Sequence, residues 1–168
     1  DSNFPQISDD GQFVAFQSAA PNLVTGATGT QIFWQNLAAP TASTSGGLRV
    51  ASSTDSTAVD QSLVVANANS LTPTLSSDGR FIAFISSAKN LYAGANGVQQ
   101  LYRKDMTKQA TAPLVCSADD GTSATQSQTD INYPAMSHDG RWIAFVLSVK
   151  GISPVANTAL YMKDLGAP

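Results

Sequence analysis

Residues 73–84 read PTLSSDGRFIAF, and the pattern recurs at residues 5–16 as PQISDDGQFVAF and at residues 134–145 as PAMSHDGRWIAF. Each copy passes from Pro through an apolar residue and a Ser to an Asp-Gly step. An aromatic, a β-branched residue, Ala and Phe follow. A thrice-used unit governs how everything else is read. Asp-Gly between two apolar runs is a β-hairpin signal. Gly11, Gly79 and Gly140 accept a positive φ, and Asp10, Asp78 and Asp139 bond backbone amides of the turn. Ser8, Ser76 and Ser137 add a second side-chain bond. The runs Phe13 to Phe16, Phe81 to Phe84 and Trp142 to Phe145 are too apolar for a strand with one wet face. They predict strands buried on both faces. The opening Pro cannot donate to a ladder, so it is expected at the strand start.

Working outward, each copy leads into a loop and a third strand: residues 31–37 (QIFWQNL), 100–106 (QLYRKDM) and 159–165 (ALYMKDL). Apolar and polar residues alternate more there, so one face is expected to see water. A short fourth strand follows at residues 48–51 and 114–116 but not in the third copy. The repeated prolines are 73 − 5 = 68 and 134 − 73 = 61 residues apart. No helical period of useful length appears. Tandem four-stranded antiparallel units are the blades of a β-propeller. The predicted fold is therefore all-β, a single propeller segment over residues 1–168. Its blades run approximately 3–53, 72–118 and 133–168, the last incomplete. Closed propellers need about four to eight blades, and three leave open faces and strand edges. Either further sequence on both sides completes the ring, or two copies form a homodimer that closes six blades.

The pattern P-x-x-S-x-D-G-[RQ]-[FW]-[VI]-A-F, with an aromatic strand ending in Lys-Asp-Leu or similar, resembles the TolB-type propeller repeat, the PD40 or WD40-like variety. The resemblance covers nearly the whole chain, although these blades are longer, with the surplus in loops. It implies an extracytoplasmic setting (periplasm, secreted or cell surface), protein partners and no cofactor. Propellers of this repeat also resemble the gating domain of prolyl-oligopeptidase-like hydrolases. That alternative demands a hydrolase domain elsewhere in a longer chain.

Composition narrows the classes. Charged residues make up 12% of the 168, about half the usual share, and Ser plus Thr roughly a fifth. Such hydroxyl-rich surfaces are common in exported bacterial proteins. A net charge of −3 gives no basic stripe for nucleic acid or anionic membrane, and no apolar run reaches the length of a membrane span. No signal peptide or initiator Met is present, so Asp1 reads as a processed or truncated start. Cys116 stands alone: it is expected to be a small buried hydrophobe, with an intermolecular bridge as the lesser reading.

Catalytic motifs are absent from the sequence: no G-x-S-x-G, no H-E-x-x-H and no P-loop. The repeated Asp reads as a turn residue, and His138 as an exposed turn tip where the other copies carry Asp9 and Ser77. Asp119, Asp120 and Asp130 form a weak Ca²⁺ candidate, a solvated acidic loop being the simpler account. The long loops at 18–30, 87–99, 54–72 and 118–133 are expected on one rim, the usual place for binding on a rigid scaffold. Asn22, Lys89, Asn90, Tyr92 and Asn96 are the candidate binding residues there, and the Asp-Gly rim is expected to be plain. The leading expectation is a non-catalytic, exported scaffold that binds proteins. A structural cell-surface or filament-associated protein is a further alternative.

Overall fold

The structure is a computed structural model that describes residues 1–24, 27–38, 47–54, 64–108, 114–115, 129–149 and 157–166. These residues form three antiparallel sheets and no helix. The first holds β1 (Ser2–Ile7), β2 (Phe13–Ser18), β3 (Gln31–Asn36) and β4 (Leu48–Val50). The second holds β5 (Ser70–Leu75), β6 (Phe81–Ser86), β7 (Gln100–Asp105) and β8 (Leu114–Val115). The third holds β9 (Thr129–Met136), β10 (Trp142–Val149) and β11 (Asn157–Asp164). Within each sheet, spatial order follows chain order, as in a meander. Cys116, Asp119 and Asp120 lie outside the described residues.

The Asp-Gly turns form as the residues dictate. In the second sheet, Gly79 has φ +70° and its N–H donates to Ser76 O. Ser76 Oγ donates to Asp78 Oδ1 (2.6 Å) and accepts from Phe81 N (2.9 Å), while Arg80 N donates to Asp78 Oδ1 (3.0 Å). The other two turns repeat these bonds.

Three expectations change. Pro5, Pro73 and Pro134 stand inside β1, β5 and β9 rather than at their starts. Each marks a register shift in the ladder, between Asn3 and Gln6, between Leu71 and Thr74, and opposite Ala144 to Val146. A bulge is the place inside a sheet where a missing N–H costs no ladder bond. The preceding residues Phe4, Thr72 and Tyr133 carry φ of +53°, +49° and +53°. Non-Gly residues rarely adopt that region, so the bend is a strained feature built three times.

Burial of the apolar strand on both faces holds fully only for β6, in the middle sheet, where all six residues are buried. β2 leaves Phe13, Val14 and Phe16 only half-buried, and β10 buries Ile143 and Phe145 but not Trp142, Ala144 or Val146. Among the described residues, the outer sheets have a neighbouring sheet on one side only.

The third strands of the first two sheets, β3 and β7, are drier than expected, whereas β11 is largely exposed. Gln31, Gln100 and Lys104 are buried. Gln31 Nε2 donates to Thr28 O (2.8 Å) and Ala66 O (3.0 Å), and its Oε1 accepts from Ser52 Oγ (2.7 Å). Lys104 Nζ donates to Ser53 O and Oγ. These bonds satisfy polar groups that burial would otherwise penalise.

The sheets join through two apolar layers. One, between the first and second, gathers Ala15, Ile32, Trp34, Ile82, Phe84, Tyr102 and Met106. The other, between the second and third, gathers Ala83, Ile85, Leu101, Ile143 and Phe145. Both junctions share one joint, in which a turn Gly of the later sheet seats on the aromatic that opens the second strand of the earlier one. A Cβ on Gly79 would lie 2.2 Å from Phe13 Cδ2, and one on Gly140 2.4 Å from Phe81 Cδ2. Trp34 Nε1 donates to Gly79 O (2.8 Å), and Arg103 Nη1 to Gly140 O (2.7 Å). Asp9 N donates to Ser77 O (2.9 Å) and Ser77 N to His138 O (3.0 Å).

Candidate functional site

The turn carboxylates act structurally. The bond from Ser8, followed by that from the Gln12 amide, holds Asp10 below the usual carboxylate range. Asp139 is lowered in the same way, by Ser137 first and then by the Arg141 amide. His138 lies exposed at its turn tip, with Nδ1 3.3 Å from Asp9 Oδ2, which is also exposed. Its carbonyl takes both Ser77 N and Ser77 Oγ. A second repeated device closes the strand ends. Arg80 Nε and Nη2 both donate to Asp105 Oδ2 (3.1 and 2.8 Å), and Arg141 grips Asp164 at the matching place. Burial alone would raise Asp105, but the bonds from Arg80 and Thr107 outweigh it and bring it to about 2. Asp164 is drawn to about 2 chiefly by Arg141.

The long-loop rim is assembled by side-chain amides. Asn90 Oδ1 accepts from Asn67 N (2.9 Å) and its Nδ2 donates to Val65 O (2.7 Å). Lys89 N donates to Asn67 Oδ1, and Thr30 N to Asn69 Oδ1. The loops after β2 and β6 thus both meet residues 65–69, which links the first and second sheets. Asn90 is a clip between loops rather than a free contact. Tyr92 packs against the layer between the first two sheets, Asn96 caps its own loop at Val98 N, and Asn22 and the Lys89 side chain are exposed. Asp130 belongs to β9, opposite Ser148. Among the described residues, no three His, Cys, Asp or Glu side chains converge on one point.

Sequence reasoning missed a cleft on the Asp-Gly rim. It lies between the first and second sheets, has a volume of about 270 Å³, and is lined by Phe13, Trp34, Asn36, Arg49, Arg80 and Thr107, among others. Phe13 and Trp34 stack at 5.1 Å and form an aromatic wall. The Arg49 guanidinium sits 5.5 Å from the Trp34 ring centre, and its Nη1 donates to Met106 O (3.1 Å). Arg80 is already neutralised by Asp105. Arg49 has no carboxylate partner among the described residues, and its planar fork of donors suits a carboxylate. The signal was present as Arg49 on a short strand opposite Trp34, but the facing wall of Arg80, Met106 and Thr107 comes from another sheet.

No protein-family model matches the chain, and no curated protein matches it. Solved structures do. A structure from a study of two prolyl endopeptidases and the role of inter-domain dynamics in their catalysis and specificity aligns with a TM-score of 0.56 at 15% identity. The alignment covers 99% of this chain and 20% of the other, so this chain spans about a fifth of that protein's length. The likeness is one of fold.

Proposed function

We infer that the chain is a section of a β-propeller of the TolB-type repeat family, and that it serves as an exported binding module with no reaction of its own. Its three sheets are blades, and its partner is a protein. The observation that carries this reading is the use made of the polar residues. The turn Asp residues, Arg80, Asp105, Arg141 and Asp164 serve the repeat, while Arg49 stands in an aromatic cleft suited to a ligand. A cleft with an aromatic wall and one guanidinium suits a peptide segment bearing a carboxylate, either an acidic side chain or a chain terminus. The low ionic content supports an extracytoplasmic setting.

A second reading is favoured by one specific observation, the fold likeness to a prolyl endopeptidase structure. Here the blades belong to a hydrolase and gate it, and the chemistry resides in another domain. Both readings make this chain non-catalytic. Titration of a fluorescent peptide ending in a free carboxylate, against its amidated twin, tests the binding module. The free acid should bind more tightly, and Arg49→Ala should remove about tenfold or more of its affinity. Equal binding of the two peptides, or an unaffected Arg49→Ala protein, overturns the assignment of the cleft. Peptide hydrolysis by the chain alone, lost in His138→Ala, overturns the non-catalytic reading.

A further inference from the structure

The same sequence positions are buried wherever a neighbouring sheet exists and bare where it does not. Leu75 and Met136 pack into the two layers, whereas their counterpart Ile7 in the first sheet is 65% exposed. Met106 and Leu165 do likewise, yet the matching Leu37 is 57% exposed. On the opposite face of the unit, Phe81 is buried and Phe13 half-buried, each beneath the next turn Gly. Trp142, at the same place in the third sheet, is 36% exposed. Ile32 and Leu101 are fully buried, while Leu160 is 75% exposed; Trp34 and Arg103 bond the next Gly carbonyl, while Met162 is 69% exposed. Gly11 completes the pattern. It has the φ of the other two turn glycines, and a Cβ there would meet nothing within 4 Å.

Among the described residues, the two end sheets therefore carry the unmatched halves of one joint. The third sheet presents Trp142, Leu160 and Met162, and the first presents the Gly11 turn with Ile7 and Leu37. We propose that these faces join between two copies of the chain, Trp142 of each seating on Gly11 of the other. The occupant is a second copy because its first sheet offers the partner surface that the two internal junctions already use. Two such chains satisfy both faces of both copies at once and make a closed six-bladed ring with twofold symmetry. A head-to-tail contact that closes in this way leaves no face to grow from. The closed geometry rests on the propeller reading; the pairing of faces rests on the repeated joint alone.

Sedimentation equilibrium across the micromolar range tests it, with Trp142→Asp and Ile7→Asp as variants. Both residues are exposed in the single chain, so circular dichroism of each variant should match the parent. The parent should sediment as two chains of 17.5 kDa, and each variant as one. Mixing the two variants should restore a weaker pair, since each keeps the half the other has lost. A parent that stays single, a pair insensitive to both substitutions, or a mixture that does not recover overturns the proposal. Growth beyond two chains overturns the closed ring. None of these readouts involves the Arg49 cleft, so failure of peptide binding and failure of pairing are told apart.

Discussion

Gly79→Ala isolates what the inter-sheet joint is worth, because Gly11 supplies a control with the same backbone. The two glycines have φ of +70° and +71° in turns with matching hydrogen bonds. Alanine in the left-handed region costs about 1–2 kcal/mol at either site. Only at Gly79 does the added methyl meet something: the Phe13 ring, with Cδ2, Cγ and Cβ at 2.2, 2.4 and 2.6 Å. Ordinary contact begins near 3.4 Å, so the ring must move by about an ångström. It has little room, being stacked on Trp34, whose indole N–H is bonded to Gly79 O. Overpacking of this kind costs about 1–3 kcal/mol. Gly79→Ala should therefore lose about 2–5 kcal/mol and Gly11→Ala about 1–2. Urea denaturation, at a concentration where sedimentation finds single chains, measures both. Truncating the obstructing ring in a Gly79→Ala, Phe13→Ala double variant should show coupling, the pair costing less than the sum. Equal losses at Gly11 and Gly79, or strict additivity with Phe13→Ala, would refute the joint.

Acid should weaken the second sheet in a defined window. Asp105 titrates at about 2 rather than 3.8, so its stabilising contribution is complete above about pH 4 and is lost as pH falls toward 2. The amount is about 2 kcal/mol, and Asp105→Asn should flatten that limb of the stability curve; an unchanged limb contradicts the assignment. Ser76→Ala should cost about 1–3 kcal/mol, because it leaves the buried Phe81 N–H without its acceptor. Ser137→Ala, at an exposed copy of the same turn, should cost less in the same thermal melts, and the reverse order would count against the burial argument. Asn90→Ala should speed hydrogen exchange at the Asn67 amide, which donates to the lost side chain; unchanged protection there would mean that the clip does not hold the loops.

Much of the fold was legible because it is local. A Ser, an Asp and a Gly within four residues carry their own turn chemistry, and the hydrogen bonds around Asp10, Asp78 and Asp139 involve only residues a few positions away. The antiparallel order within each sheet follows, since short connections bring consecutive strands side by side. The position of the repeated prolines was misjudged because a bulge and a strand start both excuse a missing N–H. The choice between them depends on the register of the partner strand. The cleft escaped notice because Phe13 and Trp34 come from one sheet and Arg80 and Thr107 from the next.

The sequence by itself determined the repeating unit, its turns and its antiparallel pairing, all set by interactions within a few residues or between adjoining strands. Only the tertiary structure decided which copies of that unit are dry. Gln31 and Lys104 are polar in any alphabet, yet they are buried because carbonyls from other segments reach them. Trp142 and Phe81 occupy one position of the repeat, yet one is bare and the other covered. Burial is a property of what lies on the far side of a sheet, and a strand's own residues cannot specify its neighbour.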